Sequence, residues 1–202
     1  MTGASSGGRW RGMNPVRKPA EAGEDARVAR TRADVGRAAL EVLTEQDWDA
    51  VTHARVAEKA GYSKTTLYTH WPSKTDLVAI ALDAIGELPH HDRTGDLRTD
   101  LIGELVLFRN AVRDLRLDRV LLAMAQSASV EEMSRVREDF NRRGQRMVRD
   151  MLAEVFTGAR LEAAVSMISG VVACPTIMFG ELPDDDVISA GVDIVLGSAP
   201  QG

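Results

Sequence analysis

The chain has 202 residues, is 44% hydrophobic and 27% charged, carries a net charge of −5 and holds one cysteine. That size allows one large domain or two small ones. No run approaches the ~18 apolar residues of a bilayer crossing, and one cysteine excludes a disulfide framework, so a cytoplasmic protein with no membrane partner is expected.

Aromatic residues make up 4%, and Ala, Leu, Arg and Glu dominate over β-formers, which predicts an all-α fold. The charge is uneven. Residues 1–75 carry 12 Lys and Arg against 9 Asp and Glu, and residues 76–202 carry 13 against 21. A basic first third suits contact with a polyanion.

Residues 1–26 are rich in Gly, Ser, Pro and Arg without a period, and read as a disordered arm lacking the apolar core of a signal peptide. Arg9, Arg11, Arg17 and Lys18 either touch DNA phosphates or belong to an untethered tail. A first helix is predicted from about Val28 to Gln46, with Val35, Ala38, Ala39, Val42 and Leu43 on one face. Trp48 anchors the following turn. Thr52 caps a second helix that ends at Ala60, and Gly61 fits a left-handed residue after it. Ser63 caps a third helix, which Pro72 stops after about two turns. Ser73 and Asp76 form a capping box for a fourth, with Leu77, Ile80, Ala81 and Ile85 inward. These elements make a domain over 27–87.

Residues 88–95 break the pattern as a linker. Beyond it, helices are predicted over about 96–113, 116–126, 130–156 (opened by a Ser129/Glu132 capping box), 160–179 and 183–196. They give about nine helices in all and a second helical domain over 88–202. Cys174, in the apolar helix, reads as inert core.

The second and third helices with the turn holding Gly61 make a helix-turn-helix, whose second helix lies in the DNA major groove. Leu67 and Trp71 form the third helix's only apolar stripe, one turn apart. The rest is a coat of donors and methyl groups. Lys64 reaches guanine acceptors or a phosphate. Thr65, Thr66 and Thr69 hydrogen-bond or set a methyl against thymine. Tyr68 and His70 suit phosphate oxygens. Lys74 lies beside the free amides at the start of the fourth helix, a second phosphate anchor. The helix is short because it only has to fit a groove.

The stretch VTHARVAEKAGYSKTTLYTHWPSKTDLVAIAL resembles the DNA-binding domain of the tetracycline-repressor (TetR) family of bacterial transcriptional regulators. The matched features are Thr52, Val56-Ala57, Ala60-Gly61, Ser63, Leu67-Tyr68, Trp71, Lys74 and Leu77, and the resemblance covers about Thr31 to Ile85. It implies a three-helix, homeodomain-like amino-terminal domain in an all-helical chain. It also implies that Thr52, His53, Lys64, Thr65, Thr66, Tyr68, Thr69, His70 and Lys74 sit at DNA-contacting positions. Ser63 is first a cap, with a contact as its second part. Two departures stand out. Asp47 replaces a frequent Gly, which the left-handed tolerance of Asp permits. Ala54 stands where some members place a base-reading Arg or Lys, with Arg55 next to it, so either position faces the DNA.

The resemblance further implies a carboxy-terminal domain that dimerises and binds a small-molecule effector. The two last helices are apolar nearly all round, and Met167, Val171, Ile177, Met178, Ile188 and Val192 are interface candidates, the alternative being a buried helix pair. Leu105, Phe108, Leu121, Met124, Phe140, Met147 and Met167 are candidate ligand lining, each also readable as ordinary core. Arg109 either meets an anionic ligand or pairs with Glu104 or Asp114.

His90 and His91 lack metal-ligand spacing, no cofactor motif is present, and no nucleophile elbow, phosphate loop or zinc signature appears. The chain therefore reads as a ligand-responsive regulator, a repressor binding a palindromic double-stranded operator as a homodimer, and not an enzyme. The alternatives are a non-regulatory DNA-binding protein, or a small-molecule-binding protein or enzyme without specific DNA function.

Overall fold

Short-range hydrogen bonds open and close the helices around the turn motif. Thr52 Oγ1 accepts the Arg55 N–H at 3.3 Å and starts α2, His53–Ala60. Gly61 ends it at φ +74°, a left-handed conformation that costs glycine little, and its N–H meets the Ala57 and Glu58 carbonyls. Ser63 Oγ accepts the Thr66 N–H at 3.1 Å and starts α3, Lys64–His70. Ser73 and Asp76 exchange hydrogen bonds of 3.1 and 2.9 Å as a full capping box for α4, Lys74–Asp83.

The computed structural model describes residues 19–197. Before α2 comes the long α1, Pro19–Glu45. After α4 follow α5, Leu97–Asp114; α6, Leu117–Gln126; α7, Ser134–Leu152; α8, Gly158–Phe179; and α9, Asp185–Gly197. Two 3₁₀ turns, Ser127–Ser129 and Glu131–Met133, link α6 to α7. Among the described residues there are nine α-helices and no strand.

α1 packs on α2 and α4 through Val35, Ala39, Val42 and Leu43, all buried. A Cβ on Gly36 would sit 2.9 Å from the Ile80 carbonyl oxygen, so only glycine lets α1 and α4 approach this closely. The carboxy-terminal helices form a bundle in which α5 packs on α9, and α8 on both α9 and α7. One apolar core spans both groups, because α1 also touches α6 and α4 touches α7. On the surface above that junction, Asp83 at the end of α4 bridges Arg32 of α1 (2.8 Å) and Arg143 of α7 (3.2 Å).

The linker after α4 is irregular yet firmly held. The fully buried Asp100 carboxylate accepts the Thr94 N–H at 2.8 Å, the Thr94 hydroxyl at 2.7 Å and the Arg93 guanidinium at 2.9 Å. Glu104 accepts the His91 N–H at 2.7 Å and pairs with His90 at 3.2 Å. The donated Thr94 N–H and hydroxyl lead in lowering the Asp100 pKa from 3.8 to about 2. A folded-state pKa below the unfolded value gives stability that is complete above the unfolded pKa and is lost as pH falls toward the folded one. Asp100→Asn should therefore melt below the wild type at neutral pH, with the gap closing from about pH 4 down to about pH 2. Paired thermal melts across that range test it.

Several expectations change. The first helix begins at Pro19, so residues 19–26 of the expected arm are helical; proline suits a helix's first turn. The arm's other residues, with Arg9, Arg11, Arg17 and Lys18, lie outside the described residues. The Ser129 capping box does not form. The Arg137 guanidinium takes the Ser127, Ala128 and Val130 carbonyls, the segment winds into 3₁₀ turns, and α7 begins only at Ser134. α7 also stops at Leu152, and Phe156 reaches the core from the loop beyond. Cys174 is exposed. Finally, no run long and apolar enough to cross a bilayer was expected, yet α8 has that length and composition; it packs on α7 and α9 in the bundle.

Candidate nucleic-acid interface

α3 is held from below and bare above. Leu67 is fully buried and Trp71 nearly so, while Lys64, Thr65, Tyr68, Thr69 and His70 are exposed. Leu67 and Trp71 thus seat the helix on the core and leave the opposite side to solvent.

The hydroxyls on this face differ in what they can still do. Ser63 Oγ and Thr66 Oγ1 lie 2.8 Å apart and share a hydrogen bond, so both are partly engaged in the cap. Thr69 donates its only hydroxyl proton to the Thr65 carbonyl at 2.8 Å. It can accept, or offer its methyl, but it does not donate to a phosphate without breaking that bond. Lys64 and the hydroxyl of Tyr68, which is 55% exposed, are the donors best placed for phosphate.

Three predicted contacts are drawn toward the protein. His53, at the first position of α2, is buried; its Nε2 lies 2.6 Å from the Trp71 carbonyl oxygen and its ring stacks on Tyr68. Arg55 is exposed but its guanidinium turns back to the Gln46 side chain, while Ala54 faces solvent with nothing to donate. Thr52 is exposed and engaged as a cap.

Lys74 begins α4 as expected, but its ammonium sits 4.2 Å above the Trp48 ring and 3.8 Å from Asp49. Burial against the turn lowers its pKa, with Asp49 and Asp47 opposing. Trp48 as a platform for Lys74 was not foreseen: the two are 26 positions apart, with no local pattern to join them. Tyr62, also unforeseen, donates to Asp34 at 3.2 Å and ties the turn to α1.

In the carboxy-terminal bundle, Leu105 and Met124 are buried, and Phe108, Leu121, Phe140 and Met147 pack half-buried against the same core. Met167 does not join them; it is 51% exposed on the outer side of α8. Arg109 meets neither Glu104 nor Asp114. It reaches Asp185 at 2.5 Å and the Pro183 carbonyl at 3.2 Å, because Glu104 is taken by the linker and Asp114 by Arg113.

The interface candidates split in the same way. Ile188 and Val192 are fully buried and fasten α9 within the chain, so they are not available to a partner. Met167, Ile177 and Met178 are exposed and Val171 is half-buried. Three exposed apolar residues were missed: Phe179, Val187 and Ile194. Both helices are apolar on most sides, so spacing alone does not separate the inner face from the outer one.

Residues 37–80, from α1 into α4, match the family model described as bacterial regulatory proteins, tetR family. An uncharacterized HTH-type transcriptional regulator of Mycobacterium tuberculosis is 28% identical over 166 residues, covering 78% of this chain and 81% of that protein. A DNA-binding transcriptional repressor TetR of Mycobacteroides abscessus is 39% identical over 80 residues, 38% of this chain and 42% of its own length. The crystal structure of a TetR transcriptional regulator from Rhodococcus sp. RHA1 is 26% identical and superposes with a TM-score of 0.59, covering 85% of this chain and 98% of that one.

Proposed function

The chain belongs to the tetR family of bacterial transcriptional regulators, and we propose that it is a repressor that binds a palindromic operator as a homodimer and is released by a small molecule. The observation that carries the DNA-binding part is the face of α3, a seven-residue helix with its apolar stripe buried and its donors and methyl groups outward. Lys64 and Tyr68 hold phosphates, and Thr65, Thr69 and His70 meet base edges or the backbone. Lys74 leaves the Trp48 ring and the exposed Asp49 carboxylate, 3.8 Å away, for a phosphate. Repression is supported by the name of the Mycobacteroides abscessus relative, whose similarity here covers 80 residues.

Dimerisation is supported by the exposed apolar stripe of α8 and α9. A run of Met167, Ile177, Met178, Phe179, Val187 and Ile194 in water is more than scattered surface apolarity. A second copy laying the same two helices against it would form an isologous four-helix contact. The effector would lodge among α5, α6, α7 and α8, where flexible Met124 and Met147 can repack. Its occupancy would change the distance between the two α3 helices, which must sit about 34–36 Å or a multiple apart to read successive grooves.

Fluorescence anisotropy on the DNA upstream of the chain's own gene, against scrambled DNA at several salt concentrations, tests the reading. Selective binding is expected. Lys64→Ala should weaken it and lower the slope of log affinity against log salt by about two, one for each protomer of the dimer. Equal and weak binding to all DNA would sink the operator, and candidate molecules that never release bound DNA would favour a non-regulatory binder.

A further inference from the structure

We propose that His53 is a positioning residue of the DNA-reading surface, holding the Tyr68 phenol and the carboxyl end of α3 at their working angle to α2. The inference rests on the reading that α3 meets DNA. The resemblance puts position 53 among the DNA contacts, but the side chain is only 9% exposed and is spent on the protein. Its Nε2 lies 2.6 Å from the Trp71 carbonyl oxygen. A carbonyl only accepts, so this nitrogen carries a proton and donates it. The acceptor is the carbonyl of Trp71, the residue that closes α3; Pro72 stops the helix there, so no following turn brings this carbonyl an N–H.

The same imidazole lies face to face with the Tyr68 ring, centroids 3.9 Å apart and planes within 11°. Tyr68 is otherwise an exposed side chain on a short helix. Without a wall beside it, its phenol would sample several rotamers, and ordering it on DNA would cost affinity. One residue at the start of α2 thus grips α3 at two points, 15 and 18 positions along the chain. The angle between these two helices decides which groove atoms α3 can reach.

Two variants separate the grips. His53→Gln keeps a donor and removes the ring face. His53→Phe keeps the ring and removes the donor. The probe is the duplex most enriched from a random 20-base-pair library by the wild type, with fold checked by circular dichroism. His53→Gln should weaken binding about three- to tenfold, the size of one lost aromatic contact. His53→Phe should weaken binding less, about two- to threefold, because Tyr68 keeps its wall while the end of α3 loses its hold, and it should melt lower for want of a donor to Trp71. In a Tyr68→Ala background His53→Gln should cost nothing further, because its effect runs through that ring. The ring resonances of Tyr68, one of two tyrosines, should shift in the Gln variant and hold in the Phe variant.

Wild-type affinity in a folded His53→Gln overturns the inference, as does an equal loss with and without Tyr68. If His53→Gln does not fold, a folded His53→Phe that binds as weakly as Tyr68→Ala overturns it as well. Failure of the wild type to enrich any sequence overturns the DNA-binding reading itself, and the inference with it.

Discussion

Leu67→Ala should lower the melting temperature by about 10 °C. Leu67 is the fully buried centre of α3 and the helix's main attachment to the core. Cutting a buried leucine to alanine costs about 2–5 kcal/mol, from lost transfer free energy and the cavity left behind. For a chain of this length each kcal/mol shifts the midpoint by about 2–4 °C. The cost lies toward the upper part of that range, because a seven-residue helix has only Leu67 and Trp71 beneath it and too few turns to stand alone. DNA binding should fall at temperatures where the circular dichroism of the whole chain is still native, since α3 is reseated before the fold is lost. A melt within about 2 °C of the wild type would mean that α3 is held by something other than its stripe.

Ile194→Asp and Met178→Asp, made together, should turn the proposed dimer into a folded monomer. Both positions are well exposed, 66% and 72%, so the charges enter water in the single chain and cost it little. In a dimer the same carboxylates would be buried without a partner, which is severe. Ultracentrifugation should show one species near 22.0 kDa. Affinity for a two-half-site duplex should drop about 100-fold or more, because the second α3 no longer binds intramolecularly. Cys174, on the exposed side of α8, reports the same event: slow alkylation in the wild type and fast alkylation in the variant. Val192→Asp is the contrast; it places a charge in the chain's own core and should unfold it. A double variant that stays dimeric with unchanged affinity would remove this face as the interface.

The sequence was most readable where the chemistry is local. Thr52, Ser63 and Ser73 were legible as caps because donor and acceptor lie three residues apart. Gly61 was legible because few other residues adopt a left-handed turn cheaply. The buried stripe of Leu67 and Trp71 follows from helical spacing. Long-range partners were not legible. His53 looks like any polar residue at a helix start until Tyr68 and Trp71 fold over it, and Trp48 is 26 positions from the lysine it carries. At Ser129 a correct local motif lost to a distant arginine, since Arg137 satisfies three carbonyls by a tighter winding. In α9 the residues at 187 and 194 are as apolar as those at 188 and 192, so only the packed bundle separates outside from inside.

The apolar core runs without a break from Val35 in α1 to Val195 in α9. Heat should therefore be absorbed in a single calorimetric peak, with no separate transition for the groove-reading helices. Whatever steadies one end of such a cooperative unit steadies the other. A small molecule lodged among α5–α8 would raise the midpoint of the entire chain, α3 included, in proportion to the logarithm of its concentration over its dissociation constant. A dye-free thermal scan against a chemical library could thus find the effector before any operator is in hand.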